Sequence, residues 1–191
     1  MTNIAIFASG SGTNAENIAR YFKSHPSVKV ALVLSNRPQA YVLKRAENLG
    51  IPAVTFNRGQ FYNSDYVLQK LREYDIGFIV LAGFLWLVPK YLIDAFPRKI
   101  VNIHPALLPK YGGKGMYGDR VHRAVLEAGE KQTGITIHYV NERYDEGDII
   151  FQATCPVLPG DTVETLARRV HQLEYEHYPR IIERLIAGTV D

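Results

Sequence analysis

Ile4-Ala5-Ile6-Phe7-Ala8-Ser9-Gly10-Ser11-Gly12-Thr13-Asn14 joins an apolar run to a glycine turn and then to residues that can start a helix. A short apolar run bounded by turn chemistry reads as a strand buried on both faces. Thr13 or Asn14 is expected to cap the next helix, where Ile18, Tyr21 and Phe22 recur at helical spacing until Pro26 stops it. The alternation continues downstream. Val28 to Leu34 reads as a strand, Ala40 to Leu49 as a helix closed by Gly50, and Pro52 to Phe56 as a third strand. Tyr66 to Tyr74 is helical in pattern, and Ile76 to Leu81 is a fourth strand ending at Ala82-Gly83. Pro89 suits the first turn of a short helix through Ala95, and Ile100 to Ile103 is a fifth strand.

Strands apolar on both faces, alternating with helices, predict a Rossmann-like α/β fold with a mainly parallel sheet and helices on both faces. The second half changes pattern. Gly118 to Ala128 reads as a helix, while Thr133 to Tyr139 and Ile149 to Val157 read as a late antiparallel strand pair around a polar turn. A long C-terminal helix, Val163 to Ile186, carries Val163, Leu166, Val170, Leu173 and Ile181 on one stripe, with Pro179 expected to kink it. With no linker, repeat or low-complexity tract, the expectation is a single domain over 1–191.

Composition narrows the function classes. Apolar residues at 47% and charged ones at 21% describe a folding chain with a real core. A net charge of +3 is too mild to call for nucleic acid, and no long uncharged apolar run calls for a membrane. The N-terminus enters strand-like sequence with no secretory pattern, and the single Cys155 permits no internal disulfide. Cys155 is expected to be a packed thiol. Together these point to a reduced, cytoplasmic enzyme or binding protein; the charge is compatible with anionic small molecules, and the choice between monomer and homodimer stays open.

Three segments carry chemistry. The loop Ser9 to Asn14 places glycines at a helix start, where backbone N–H groups can meet an anion, so a monophosphate cradle is the preferred reading. Gly10-x-Gly12-x-x-Ala15 also satisfies the loose dinucleotide fingerprint, but the second strand ends Leu34-Ser35-Asn36-Arg37 without the acid that would hold a ribose. The second segment, Asn102-Ile103-His104-Pro105-Ala106-Leu107-Leu108-Pro109-Lys110-Tyr111, sets a carboxamide and an imidazole two residues apart at a strand end. That spacing puts both on one face, where an amide donor and an acid–base group can converge on one carbonyl. The prolines stiffen the exit. The third segment is Tyr144-Asp145-Glu146-Gly147-Asp148. Calcium-loop spacing is absent, no metal is expected, and Gly147 permits a turn that returns Asp145 toward the sheet.

In this order, Ser9 to Asn14, Leu81-Ala82-Gly83-Phe84, Asn102 to Pro109 and Asp145-x-Gly147 resemble the phosphoribosylglycinamide formyltransferase family, folate-dependent enzymes of purine synthesis. The resemblance runs from Asn3 to about Pro179 and implies the formyltransferase fold. It further implies that Asn102, His104 and Asp145 are the catalytic residues, and that Gly12, Thr13 and Asn14 hold the substrate phosphate. His171 and Glu174 would contact phosphoribosylglycinamide. Leu85, Trp86, Leu87 and Val88, with Asn102 and with Val140, Asn141, Glu142, Arg143 and Tyr144, would bind the co-substrate 10-formyltetrahydrofolate. The reaction implied is direct amine attack, with Asn102 and protonated His104 donating to the formyl oxygen and Asp145 assisting proton transfer.

The chain departs from the family in three places. Trp86 stands where many members carry an Arg, Ala106 replaces a more usual Ser, and Gly112 to Gly118 is long and glycine-rich. That loop beside His104 reads equally as a mobile lid and as a surface excursion. A dehydrogenase would leave Asn102, His104 and Asp145 without a joint purpose, and a non-catalytic phosphate binder would leave the Asn/His pair idle. His25, His122, His138 and His177 carry no signal beyond surface or packing roles.

Overall fold

The computed structural model describes residues 1–190. Seven strands form one sheet in the order β3-β2-β1-β4-β5-β6-β7. The chain forms two compact units, the first ending at Val101 and the second starting at Asn102.

The first unit runs β1 (Thr2–Phe7), α1 (Thr13–Tyr21), β2 (Val28–Ser35), α2 (Tyr41–Asn48), β3 (Ala53–Thr55), α3 (Arg58–Tyr62), α4 (Tyr66–Glu73), β4 (Ile76–Leu81) and α5 (Lys90–Ala95). β1 pairs in parallel with β2 and with β4, and β2 with β3. Consecutive residues Ile4 to Ala8 are all buried, so β1 is covered on both faces, as its unbroken apolar run requires. The chain turns outward from β1 to β2 and β3, then returns to the other side of β1 for β4. Such a reversal leaves a crevice beyond the carboxyl ends of the two central strands, where α/β sheets place ligands.

The second unit holds α6 (Asp119–Glu127), β6 (Gln132–Tyr139), β7 (Ile149–Pro156) and α7 (Val163–Ala187), and β5 (Ile100–His104) crosses into it from the first. β6 and β7 are antiparallel. Gly134 is required there, because a Cβ would lie 1.9 Å from the Ala153 carbonyl oxygen. α7 packs on α6, β6 and β7. Its buried stripe is Leu166, Val170, Glu174, Tyr178, Ile181 and neighbours, whereas Val163 and Leu173 are only half-buried. The helix continues through Pro179 as one element. Its start is fixed by Thr162 and Thr165 in a reciprocal cap, with Arg169 bridging to Asp161 at 2.7 Å.

Boundaries differ from expectation in three informative places. No side chain of Thr13 or Asn14 caps α1; Gly12, in the left-handed region at φ 77, is its N-cap. A side chain at Gly12 would meet Val42 Cγ2 at 2.4 Å, so glycine is needed for shape as well as backbone. α3 is an additional short helix, held by Asn57 and Gln60 in a capping box. β5 extends through His104, making the imidazole part of the strand itself.

Candidate active site

In the first unit one hydroxyl gathers three strand ends. Ser9 Oγ donates to Asn36 Oδ1 at 2.6 Å and accepts from the Leu85 N–H at 3.0 Å, while Ser9 N–H donates to the Gly83 carbonyl at 3.0 Å. These bonds join the residues that follow β1, β2 and β4. They use the Asn36 side chain at the place where a dinucleotide site would need an acid. α2 braces the loop beyond. Val42 N–H donates to the Gly10 carbonyl, and Arg45 Nε donates to the Ser11 carbonyl at 2.7 Å. Arg45 also pairs with Glu16, which Arg20 grips from the other side; both guanidinium groups hold the Glu16 carboxyl below its ordinary range. The loop Gly10–Gly12 therefore has a fixed shape before any ligand arrives, and it leads into a helix whose N-terminus no side chain caps.

The segment Leu85, Trp86, Leu87 and Val88 follows β4 in the same unit. Val88 is buried and the other three are half-buried. Trp86 packs into an aromatic group with Phe56, Phe61 and Tyr62, at ring separations of about 6.0 Å. Tyr62 Oη donates to the Leu87 carbonyl at 2.7 Å, tying α3 to this segment.

The second unit brings together Asn102, His104 and Asp145, and adds a residue the sequence reading set aside. His138 on β6 is fully buried. Its Nδ1–H donates to the Tyr139 carbonyl at 2.9 Å, so Nε2 is the acceptor that faces Asn102 Nδ2 at 3.3 Å. The Asn102 carboxamide is thereby oriented by the imidazole, with one N–H used and one remaining. Asp145 Oδ1 lies 3.6 Å from His138 Nε2, and Asp145 Oδ2 lies 3.5 Å from His104 Nδ1. The expectation that His138 has no role beyond packing is corrected: a strand partner 36 residues away in sequence holds the site amide.

His104 Nε2–H donates to the Tyr111 carbonyl at 2.7 Å. Tyr111 can aim its carbonyl back because its backbone is left-handed at φ 57, and its phenol is anchored on Glu130 at 2.8 Å. Burial pushes the His104 pKa below its ordinary value, against the opposing pull of Asp145 and the Tyr111 carbonyl. Burial thus favours the neutral ring, while the Asp145 carboxylate, 3.5 Å from Nδ1, favours the protonated one that would donate to a formyl oxygen. Burial also pushes the Asp145 carboxyl up. The Gly113 N–H, which donates to Oδ2 at 3.0 Å, is among the groups that outweigh that and hold it below its usual range.

The prolyl exit is held by hydrogen bonds as well as by prolines. Thr136 Oγ1 donates to the Ala106 carbonyl and accepts from Leu108 N–H and Gln152 Nε2, while Gln152 also donates to the Leu108 carbonyl. The glycine-rich loop is rooted in the site: a Cβ at Gly112 would meet Leu108 Cδ2 at 2.5 Å and Asp145 Cβ at 3.3 Å. The Asp145 turn works differently from the sequence reading. Asp145 itself takes the left-handed backbone at φ 55, and Gly147 is needed because a Cβ would fall 1.6 Å from the Tyr139 carbonyl oxygen.

Elsewhere the residues sort clearly. In the 140–144 segment, Asn141 Oδ1 accepts from Arg143 N–H, Arg143 pairs with Glu146, Glu142 is exposed, and Val140 and Tyr144 are half-buried. On α7, Glu174 is buried and its Oε2 lies 2.9 Å from His171 Nδ1, which raises the His171 pKa. His122, also set aside, is buried edge-on to His171 with its Nδ1 unbonded, and burial pushes its pKa down. His25 accepts from Ser27 and Val28 N–H groups in a turn, and His177 packs on Phe151.

Residues 2–182 match the family model described as formyl transferase. The chain belongs to the formyl transferase family. Relatives from within that family are similar along the whole chain. A phosphoribosylglycinamide formyltransferase of Bacillus subtilis is 37% identical over 191 residues, covering 97% of this chain and 95% of that protein. A chloroplastic phosphoribosylglycinamide formyltransferase of Arabidopsis thaliana is 42% identical over 186 residues, covering 94% of this chain; the chain spans 63% of that relative's length. The crystal structure of glycinamide ribonucleotide transformylase 1 from Symbiobacterium toebii superposes with a TM-score of 0.89 at 38% identity, covering 98% of this chain and 89% of that one. The formyl transferase fold expected from the motifs is thus the fold observed. No helix among the described residues is long and apolar enough to cross a membrane.

Proposed function

We propose that this chain transfers the formyl group of 10-formyltetrahydrofolate to the amine of 5'-phosphoribosylglycinamide, as a cytoplasmic enzyme of purine biosynthesis folded as one domain over 1–191. The observation that carries the reading is the cluster of Asn102, His138, Asp145 and His104, held in one hydrogen-bonded and ionic network. It sits in a chain similar to the Bacillus subtilis phosphoribosylglycinamide formyltransferase over 95% of that protein's length.

The roles follow from the chemistry of each group. Gly12, Thr13 and Asn14, at the uncapped start of α1, would receive the substrate phosphate on backbone N–H groups. Buried Glu174, with His171 beside it, would contact the cationic or hydroxyl-bearing part of that substrate. Leu85 to Val88 offer half-buried apolar and backbone surface suited to a pterin, and Val140 to Tyr144 would complete that binding. When bound, the donor supplies a formyl carbon for the amine to attack, with negative charge growing on the formyl oxygen.

Asn102 meets that charge with its remaining N–H, already aimed by His138, so little reorganisation is needed at the moment of reaction. His104 starts neutral and takes a proton released by the attacking amine. The Asp145 carboxylate 3.5 Å away stabilises the imidazolium that results. The same proton then passes toward the leaving nitrogen. Asp145 stays ionised throughout, because its hydrogen bonds and neighbours favour the charged form.

The test is direct. Protein, 10-formyltetrahydrofolate and phosphoribosylglycinamide are mixed, and the absorbance change on donor deformylation is followed. Asn102→Ala, His104→Ala and Asp145→Asn should each lose about 3–4 kcal/mol of barrier lowering, or some hundredfold or more in kcat, while circular dichroism stays unchanged. Absence of transfer together with tight nicotinamide binding overturns the proposal, and normal turnover by one variant removes that residue's role.

A further inference from the structure

One short segment touches both sides of the His104 ring. Its Nε2–H donates to the Tyr111 carbonyl at 2.7 Å, and its Nδ1 lies 3.5 Å from Asp145 Oδ2, which accepts from the Gly113 N–H at 3.0 Å. The carbonyl keeps a proton on Nε2 whatever the charge of the ring, so Nδ1 is left to titrate beside the carboxylate. Tyr111 presents that carbonyl with its backbone in the left-handed region, at φ 57. Such a conformation is costly for a bulky side chain and persists where surrounding contacts impose it. The imposing contact is its phenol, which donates to Glu130 Oε1 at 2.8 Å.

Glu130 is in turn placed by the end of α6. Ala128 is the C-cap, Gly129 follows at φ 67 and donates its N–H to the Leu126 carbonyl, and the Glu130 N–H donates to the Val125 carbonyl. These two bonds make the Schellman pattern, which stops a helix and fixes the backbone of the two residues beyond the cap. Val125 is fully buried, so this helix end is anchored in the core. Tyr111 and Lys110, whose Nζ lies 3.2 Å from Oε1, hold the Glu130 carboxyl below its ordinary range. It is therefore ionised, the form that grips a phenol most strongly. We propose that Glu130 is a positioning residue for His104: it holds the Tyr111 phenol, and through it the carbonyl that assigns the His104 proton to Nε2. The inference rests on the reading of His104 as the acid–base group, and it extends the site to the turn between α6 and β6.

With the histidine rings of the full chain isotopically labelled at nitrogen, NMR at about pH 8, above the ordinary histidine range, reports which His104 nitrogen carries the proton. The unchanged chain should show it on Nε2. Glu130→Ala and Tyr111→Phe should each mix the two tautomers and lower kcat about tenfold, with KM for both substrates within about twofold. Glu130→Gln, whose amide oxygen still accepts from the phenol, should recover most of both. The double variant Tyr111→Phe/Glu130→Ala should lose no more than either single one, because each breaks the same bond. A purely structural anchor would lower the urea midpoint of these variants and leave the ring nitrogens and kcat in place. That result, an additive double loss, or a faster kcat in Glu130→Ala would overturn the positioning role and leave the catalytic reading of His104 intact. Normal turnover by His104→Ala would overturn both, since the ring would then have no rate to set.

Discussion

At the scale of single residues, His104 is pulled in two directions. Burial disfavours its charged form, while Asp145 and the Tyr111 carbonyl favour it, and burial prevails. In the folded chain the ring therefore binds its proton less tightly than in the unfolded one. The sign of the linkage follows: the stability due to His104 is present above the ordinary histidine pKa and is lost as pH falls through it toward the depressed folded value. An NMR titration of the His104 ring should give a midpoint below 6.5. Asp145→Asn removes the carboxylate that raises the value, so the midpoint should move lower still; an upward move would contradict the assigned geometry. The Asn102/His104 spacing and Asp145 were legible in the sequence as residue types at a strand end and a turn. His138 was not, because its role depends on its reach to Asn102 from a distant strand, and that reach leaves no local pattern. The downward shift of the His104 pKa was hidden for a related reason, since it depends on burial that only the folded chain defines.

At the scale of elements, the prolyl exit after β5 depends on Thr136 more than its prolines suggest. Its hydroxyl donates once and accepts twice, which saturates it. Thr136→Val keeps the shape but leaves the buried Leu108 N–H and Ala106 carbonyl without that partner. Urea denaturation should show a loss of about 1–3 kcal/mol. Among the helices, α3 escaped the periodicity reading because five residues make too little pattern and Gly59 argues against a helix. The Asn57…Gln60 capping box was its one available signal. Gly12 as the N-cap of α1, in place of Thr13 or Asn14, is a matter of space: the contact with Val42 on α2 leaves room for a glycine only. β4, by contrast, matches its expected bounds from Ile76 to Leu81, because an unbroken apolar run between turns leaves no ambiguity.

At the scale of the whole molecule, Cys155 offers a measure of how tightly the second unit is closed. It is buried on β7, and burial pushes its thiol up, which lowers its reactivity twice over. A disulfide reagent at pH 8 should label it slowly in the native protein and within the mixing time in denaturant, with one thiol per chain. Fast native labelling would mean that β7 opens readily. The alternation of strands and helices made the architecture legible, because both-face burial of β1 imposes the covering layers. The division at Val101 was not visible, since β5 runs through it with no change in composition.

The close approach of Gly147 to the Tyr139 carbonyl has a consequence for how this gene can vary. Every replacement of a glycine adds a Cβ, so no missense change at this codon is conservative. In a saturation library selected for growth without purines, position 147 would tolerate glycine alone, as strictly as the positions that touch substrate. Its intolerance would come from backbone geometry, and a reader of such a map who equated constraint with chemistry would count one catalytic residue too many.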